Sequence, residues 1–311
     1  MTTDDAAEVP PQEKWTDGDW EGLLYAIENK ACTPVLGAGA CAGVLPLGRD
    51  IANAWAKQDD YPFQDTEYLP HVAQYVAIRS GHNTPKFRIR KEFAARNRPD
   101  FDDRDEPHRL VADLRLPVYV TTNYDDFLMQ ALQRGPNPRE PKREICQWYK
   151  LRSRDKLEQD PGFEPTPEKP LVFYLHGALD IVESMVLTED DYLEFLVCVS
   201  EYENLIPPSV SERFTTSSLL FMGYSLDDMN FKVIFRKLAS YMGRNEAERH
   251  VSVQLAPKAD ESSEQFIARA MKQRAYLERQ FGLQKVKVYW GTCRDFAREL
   301  RARWEAFGGG H

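Results

Sequence analysis

The sequence predicts an α/β fold: a doubly wound, mostly parallel, Rossmann-like sheet with helices on both faces and with helical or loop insertions. Short apolar runs, rich in β-branched residues, alternate along the chain with segments of helical periodicity. Strands of this composition are buried on both faces, which requires helices on each side of a parallel sheet. Several of the runs also end in glycine or polar residues. Ligands of such sheets bind at the carboxyl ends of the strands, so these ends are the expected place for chemistry.

The strands are predicted from their apolar character and from the turn-forming residues that follow them. In chain order they are 33–36, 117–122, 171–175, 185–187, 218–222, 250–255 and 285–288.

The segments between the strands are predicted to be mainly helical. Residues 47–81 have helical periodicity, and amphipathic helices are expected after each of the last three strands. Thr188 is an expected N-cap because acidic residues follow it. The charged segment 83–105 is either a solvated helix or a mobile flap, with a charged surface favoured, and 135–170 has little periodicity.

One catalytic domain is expected over residues 16–306, with possible insertions at 58–105 and 135–170. Residues 1–15 are predicted to be a flexible arm, and 307–311 a flexible tail.

Composition narrows the function classes. The 311 residues include 40 Lys and Arg against 49 Asp and Glu, and the net charge of −9 argues against direct nucleic-acid binding. The five cysteines have no C-x-x-C spacing, so reduced thiols in a cytoplasmic protein are expected. The sequence has no signal peptide and no apolar run of about 18 residues, so no membrane association is expected.

The first strand leads into Gly37, Ala38 and Gly39, and the run from Gly37 to Ala42 matches G-x-G-x-x-G/A. Glycines in this motif let the backbone approach a pyrophosphate, whose charge is met by backbone N–H groups. Glycine-rich turns also serve plain strand–helix packing, so the motif alone leaves both interpretations open.

The second strand ends in Thr122, Asn123 and Asp125. An amide at a strand end can hydrogen-bond a ribose hydroxyl or hold a water molecule. The alternative is a helix cap, because Asn and Asp are good N-caps.

The third and fifth of these strand ends carry His176-Gly177 and Gly223-Tyr224-Ser225. A histidine suits a general base near neutral pH, and the other five histidines lie in charged or terminal segments, which makes His176 the catalytic candidate. Gly223 and Ser225 are possible cofactor contacts, although Ser225 is also a possible helix cap.

Taken in order, the motifs GAG-A-C, TTNYD, HG and GYS resemble those of the sirtuin superfamily. The resemblance covers roughly residues 20–306. It is closer to the bacterial sirtuin-like domains of anti-phage defence proteins than to the protein deacylases.

The resemblance implies that NAD+ is bound as substrate by residues of all four motifs. The implied binding residues are Gly37, Ala38, Gly39, Cys41, Thr122, Asp125, Gly223 and Ser225. It also implies that Asn123 and His176 are catalytic. Cys41 stands where the family usually has serine, and the four-cysteine zinc module of the deacylases is missing from the sequence.

These features lead to an expected NAD+ hydrolase that releases nicotinamide and ADP-ribose and depletes NAD+ during phage infection. Hydrolysis of this bond requires no metal, so none is expected. The alternatives are an NAD-dependent deacylase and a non-catalytic sensor of NAD or ADP-ribose. The resemblance further implies a homo-oligomer or a partner defence protein, such as a helicase-like ATPase or an Argonaute. Given the acidic composition, backbone N–H groups of Gly37 to Gly39 are expected to meet the substrate phosphates.

Overall fold

A computed structural model describes residues 15–134, 138–153, 162–224, 251–255 and 286–309, together with a few isolated positions between them. Within these ranges the strands form one seven-stranded sheet in which every pairing is parallel. The strands are β1 (Cys32–Leu36), β2 (Val118–Thr121), β3 (Lys142–Ile145), β4 (Leu171–Tyr174), β5 (Ser218–Met222), β6 (Val251–Leu255) and β7 (Val286–Trp290). Their order across the sheet is β3-β4-β2-β1-β5-β6-β7.

The described helices connect and cover these strands. They are α1 (Asp17–Glu28), α2 (Gly48–Gln58), α3 (Leu69–Ser80), α4 (Thr84–Ala94), α5 (Pro107–Asp113), α6 (Phe127–Gln133), α7 (Trp148–Ser153), α8 (Glu189–Glu201), α9 (Pro208–Thr216) and α10 (Cys293–Ala306). None of the helices within the described ranges is long and apolar enough to cross a membrane.

Alternate residues of the central strands enter two different hydrophobic cores. Leu36 and Leu220 join one core with residues of α1, α5 and α10, whereas Val35 and Phe221 join the other with residues of α8 and α9. Because strand side chains alternate between faces, both faces of the sheet are buried. The doubly wound α/β prediction is therefore confirmed.

The order in which the chain adds strands to the sheet reverses at β1. After β1 the chain adds β2, β4 and β3 on one side of it, and it then adds β5, β6 and β7 on the other side. The boundary between β1 and β5 is therefore the topological switch point, which is the place where sheets of this kind bind ligands. The loops that begin at Gly37 and Gly223 lie on its two sides.

The structure corrects the prediction in two places. Residues 185–187 do not form a strand: a short 3-10 turn over Val182–Ser184 precedes them, and their apolar side chains are simply buried. Conversely, the segment 135–170 contains β3, the edge strand that pairs with β4.

The helical prediction for residues 47–81 is confirmed, because they contain the two helices α2 and α3. The charged segment 83–105 contains the helix α4, and it is not only charged surface, because Lys86 and Ile89 are buried. Ser225, the helix predicted after it, and nearly all of the predicted N-terminal arm lie outside the described residues.

Candidate functional site

Strand register brings the ends of four strands to one edge of the sheet. Leu36 of β1 pairs with Met222 of β5 and with Thr121 of β2, and Thr121 in turn pairs with Tyr174 of β4. Gly37 and Gly223 each follow directly after one of these paired residues, so they lie side by side at the edge of the sheet. Asn123 and His176 each lie two residues after the pair of Thr121 and Tyr174, so they also lie at neighbouring positions. Three of the predicted motifs and the described part of the fourth thus converge at the carboxyl edge, around the switch point.

The glycine turn, residues Gly37 to Cys41, packs backbone to backbone against Gly223. The N–H groups of Gly37 and Gly39 donate to the carbonyl oxygens of Met222 and Gly223, both at 2.8 Å. A Cβ on Gly39 would lie 2.8 Å from the Gly223 Cα, and one on Gly223 would lie 2.3 Å from the Ala40 nitrogen. Close contact between two loops is therefore the structural reason for these glycines.

This packing corrects the expectation about phosphate recognition. The N–H groups of Gly37 and Gly39 are directed into the protein and do not face a ligand. Within the turn, Ala38 is exposed, whereas Ala40 and Cys41 are buried. Ala38 is therefore the residue of the turn best placed to meet a ligand.

Asn123 is buried and directs its amide nitrogen toward the glycine turn. Its Nδ2 donates to the Gly37 carbonyl at 3.0 Å and to the Cys41 Sγ at 3.3 Å. Its backbone N–H donates to the Thr121 hydroxyl. With the amide nitrogen engaged, Oδ1 is the acceptor of this side chain that can receive a hydrogen bond from a ribose hydroxyl or a water molecule.

Thr122 links the second motif to the fourth. Its hydroxyl lies 3.0 Å from the Tyr224 hydroxyl, and both hydroxyls contact the carbonyl oxygen of Leu36. These bonds hold the ends of β1, β2 and β5 together. Thr122 therefore has a structural partner and is also partly exposed at the edge.

Cys41 and Asp125 face a buried cluster beneath the glycine turn. The Cys41 thiol donates to Asp125 Oδ2 at 3.3 Å, and its Sγ lies 3.8 Å from His108 Nε2. His108 Nδ1 contacts Glu106 Oε1 at 2.7 Å. We call Cys41, Asp125, His108 and Glu106 the thiol–imidazole cluster.

His108 and Glu106 were not among the predicted site residues, because His108 lies in a charged segment. It is nevertheless 1% exposed. Glu106 is the N-cap of α5 and precedes a proline at the first helical position, and this capping pattern is the sequence signal that marks the segment as an ordered helix start.

Burial and mutual charge set the protonation states of the cluster. Burial, reinforced by the Asp125 charge, holds the pKa of Cys41 well above its ordinary value, so Cys41 is a neutral thiol. Burial alone would lower the pKa of His108, but the hydrogen bond and charge of Glu106 outweigh it and raise that pKa. Burial raises the pKa of Asp125, against the opposing charge of His108.

Asp125 also helps to cap a helix, which was the alternative prediction for the end of the second strand. Its Oδ1 accepts the N–H of Phe127, the first residue of α6, at 3.0 Å. One carboxylate oxygen therefore orders the helix start while the other faces the cluster.

His176 lies at the end of β4 with its ring packed edge-on against Tyr192 and Phe195 of α8. It is 1% exposed, and burial lowers its pKa to about 3, so its imidazole is neutral at pH 7. Its Nε2 is buried with no hydrogen-bond partner among the described residues. A buried polar atom without a partner is unusual and is often completed by a ligand or water at a functional site.

Gly177 is required by backbone geometry. Its φ is +88°, and a Cβ there would lie 2.2 Å from the Ser184 carbonyl oxygen. The segment 176–188 therefore folds back tightly, and the Val186 N–H donates to the His176 carbonyl oxygen.

A buried ion pair ties this segment to α4. Lys86 Nζ lies 2.8 Å from Asp191 Oδ1, and Asp191 Oδ2 accepts the N–H groups of Leu187 and Thr188. The predicted N-cap at Thr188 is confirmed, because its side chain and Asp191 form a capping box. The helix that packs on His176 is thus fixed at its first turn.

The sheet topology and the glycine turn at its switch point define a Rossmann-like α/β protein. A family model described as "SIR2-like domain" matches residues 117–277, just over half of the chain. The chain belongs to the SIR2-like domain family, and NAD+ binding is the property that this family implies.

The relatives with established names point in the same direction. The chain is 20% identical over 247 residues to "NAD(+) hydrolase ThsA" of Acinetobacter baumannii, covering 77% of this chain and 46% of that protein. It is 24% identical over 235 residues to the protein of the same name from Bacillus cereus, covering 75% and 43%. The chain thus spans a little under half the length of these relatives.

A solved structure described as "Structural Basis for the Mechanism and Regulation of Sir2 Enzymes" aligns with 93% of this chain and 97% of its own. Its TM-score is 0.42, with 11% sequence identity.

Proposed function

We propose that this protein is an NAD+ hydrolase that cleaves the nicotinamide–ribose bond. The observation that carries the proposal is the register of β2 and β4, which aligns Asn123 with His176 beside the glycine turn. Each of these side chains has an acceptor atom available, Oδ1 of Asn123 and Nε2 of His176. Membership of the SIR2-like family and the similarity to NAD(+) hydrolases support NAD+ as the substrate.

In the proposed reaction, the bond between the nicotinamide nitrogen and ribose C1′ breaks, and nicotinamide takes the bonding electrons. Water adds its oxygen to C1′, and its proton passes to His176 Nε2. Asn123 Oδ1 accepts a hydrogen bond from a ribose hydroxyl or from the attacking water. Positioned proton transfer of this kind contributes about 10²–10⁴-fold to the rate.

His176 is neutral, which is the form that accepts a proton, but its low pKa makes it a weak base in its buried position. Entry of substrate and water would hydrate the imidazole and remove part of the burial cost that lowers its pKa. The proposed catalytic state is therefore one in which water reaches Nε2 between the glycine turn and α8.

The test is a nicotinamide-release assay on the purified protein, together with NAD+ measurement in cells that express it. Asn123→Ala and His176→Ala should each lower turnover at least 100-fold while keeping the wild-type circular dichroism spectrum. Asn29→Ala and His71→Gln are matched controls, because Asn29 is exposed, His71 is partly exposed, and neither residue lies at a strand end of the candidate site. Unchanged NAD+ in the assay and in the cells, or full turnover by either site variant, would overturn the proposal.

The proposal extends to the biological role. An NAD+-depleting enzyme of this type would serve as the effector of an anti-phage defence system in the bacterial cytoplasm, acting through abortive infection. Such an enzyme needs an inactive state, so we expect a homo-oligomer or a partner defence protein of the ATPase, helicase-like or Argonaute-like kind. Light scattering of the purified protein tests this, and a fully active monomer would contradict it.

A second candidate function is a binding module for NAD+ or ADP-ribose without turnover. The burial of His176 against Tyr192 and Phe195 favours it, because a closed histidine cannot take a proton from water. Calorimetry distinguishes the two functions: a binding module retains ligand affinity in His176→Ala and consumes no NAD+.

A further inference from the structure

The thiol–imidazole cluster holds three different metal-ligating atoms at one point. The Cys41 Sγ, His108 Nε2 and Asp125 Oδ2 all lie within 4.8 Å of one another. They come from three separate parts of the chain: the glycine turn, the first turn of α5, and the loop after β2. We propose that this cluster is a binding site for a divalent transition-metal ion, with zinc as the favoured ion.

Two of the ligand–ligand distances fit tetrahedral coordination. Zinc bonds to sulfur, nitrogen and oxygen are about 2.0–2.3 Å long, which places neighbouring ligand atoms about 3.3–3.8 Å apart. The Cys41 Sγ lies 3.3 Å from Asp125 Oδ2 and 3.8 Å from His108 Nε2. The second distance is long for a hydrogen bond but suits two ligands of one ion.

Each ligand is oriented by its own second contact. Glu106 Oε1 accepts from His108 Nδ1 at 2.7 Å, which leaves Nε2 as the atom that faces the cluster. The other Glu106 oxygen accepts the N–H of Arg109, so the carboxylate itself is fixed at the start of α5. A carboxylate behind a ligating histidine is the usual arrangement at zinc sites.

The remaining ligands are fixed in the same way. Asp125 Oδ1 accepts the N–H of Phe127, which leaves Oδ2 for the ion, and Asn123 Nδ2 donates to the Cys41 Sγ. An N–H donor of this kind stabilises negative charge on a ligating sulfur.

Charge and burial agree with a bound cation. Cys41, His108 and Asp125 are all buried, and a buried charge must be paired or coordinate a metal. Binding of the ion releases to solvent the Cys41 thiol proton and any proton carried by His108 Nε2 or by Asp125, so that thiolate and carboxylate balance the two positive charges of the ion. Three protein ligands leave a fourth position for a water molecule or another donor.

The ligands of this site are one cysteine, one histidine and one aspartate, which differ from the four cysteines of the deacylase zinc module. The ion would join the glycine turn to the loop that carries Asn123, so that Cys41 and Asp125 support the candidate site from below. The proposal does not rest on the proposed NAD+ hydrolysis, because its test measures metal and not turnover.

The experiment measures zinc by mass spectrometry in untagged, full-length protein after gel filtration. The expected content is about one zinc per chain. Cys41→Ser and His108→Gln should reduce it at least tenfold, and Glu106→Gln should weaken affinity by about 10–100-fold. Cys146→Ser and His82→Gln are matched controls that remove a buried cysteine and a histidine outside the cluster, and they should retain the ion.

A second readout needs no variant. Wild-type protein loaded with Co²⁺ should show a thiolate-to-cobalt charge-transfer band in the near ultraviolet and the visible bands of tetrahedral cobalt. Less than a tenth of a zinc per chain together with no cobalt band would overturn the proposal. So would zinc retained at full content in both Cys41→Ser and His108→Gln, because the ion would then lie elsewhere.

Discussion

The ion pair between Lys86 and Asp191 should be among the most stabilising single contacts around the candidate site. Lys86 is 1% exposed and Asp191 is fully buried, with 2.8 Å between Nζ and Oδ1. Removing one partner of a buried pair costs about 3–5 kcal/mol, because an uncompensated charge stays in the interior. Without Lys86, Asp191 would keep its contacts with His82 and with two backbone N–H groups. Lys86→Met should therefore lower the free energy of unfolding by about 3 kcal/mol, the lower end of that range.

The assay is a double-mutant cycle of Lys86→Met and Asp191→Asn, followed by urea unfolding at pH 7. Lys86→Met preserves most of the side-chain volume beside Trp148, so the cycle reports charge pairing and not a cavity. We expect a coupling free energy of about 2–3 kcal/mol between the two positions. Arg96→Ala is the control, because its pair with Glu92 is exposed and should contribute less than about 0.5 kcal/mol.

A coupling below about 0.5 kcal/mol would refute this reasoning. It would mean that Asp191 is satisfied by its backbone donors and that the lysine charge contributes little. The helix α8 would then be held beside His176 by its remaining contacts, which include the packing of Phe195 and the hydrogen bonds between Gln74 and Asp190.

The remaining predictions concern the loops and pH. Gly223→Ala should lower the free energy of unfolding by at least about 3 kcal/mol, because the new Cβ would lie 2.3 Å from the Ala40 nitrogen. Gly43 has a similar φ but open space around it, so Gly43→Ala should lower the free energy of unfolding only by the backbone strain of about 1–2 kcal/mol. Equal shifts in melting temperature for the two variants would contradict this. Thr188→Ala should cost about 1 kcal/mol by loss of the capping box, measured by urea unfolding. Burial would raise the pKa of Asp191, but the hydrogen bond from His82 and the charge of Lys86 bring it to about 2. The ionised Asp191 therefore adds about 2 kcal/mol to the free energy of unfolding above pH 4, and this contribution is lost as the pH falls toward 2. The Asp191→Asn variant should lack this part of the pH dependence.

The sheet was predictable from the sequence where strands are buried on both faces. The bounds of β1, β2, β4 and β5 were predicted to within about one residue, because their runs are mainly apolar and are followed by glycine or polar residues. β3 was missed because its sequence, Lys-Arg-Glu-Ile, is that of a partly exposed edge strand, and nothing in it is apolar until its last residue. The run at 185–187 was wrongly predicted as a strand, since three buried apolar residues look the same in a packed loop.

The candidate site was predictable as a set of strand ends but not in its contacts. Asn123 and His176 fall at the expected edge because register follows from parallel pairing. The side-chain directions depend on tertiary contacts: Cys41 faces His108, a residue 67 positions away, which no local pattern reveals. Glycine spacing likewise cannot tell whether a turn approaches a ligand or, as at Gly37 and Gly39, another loop.

The glycine turn is hydrogen-bonded to Met222 and Gly223, and this determines when during translation the turn can form. The acceptors for the N–H groups of Gly37 and Gly39 are made more than 180 residues after their donors. A nascent chain that ends before β5 has no partner for this turn, so the candidate site cannot form on a partly translated polypeptide. The proposed NAD+ hydrolase would therefore stay inactive on the ribosome until most of the sheet has been synthesised.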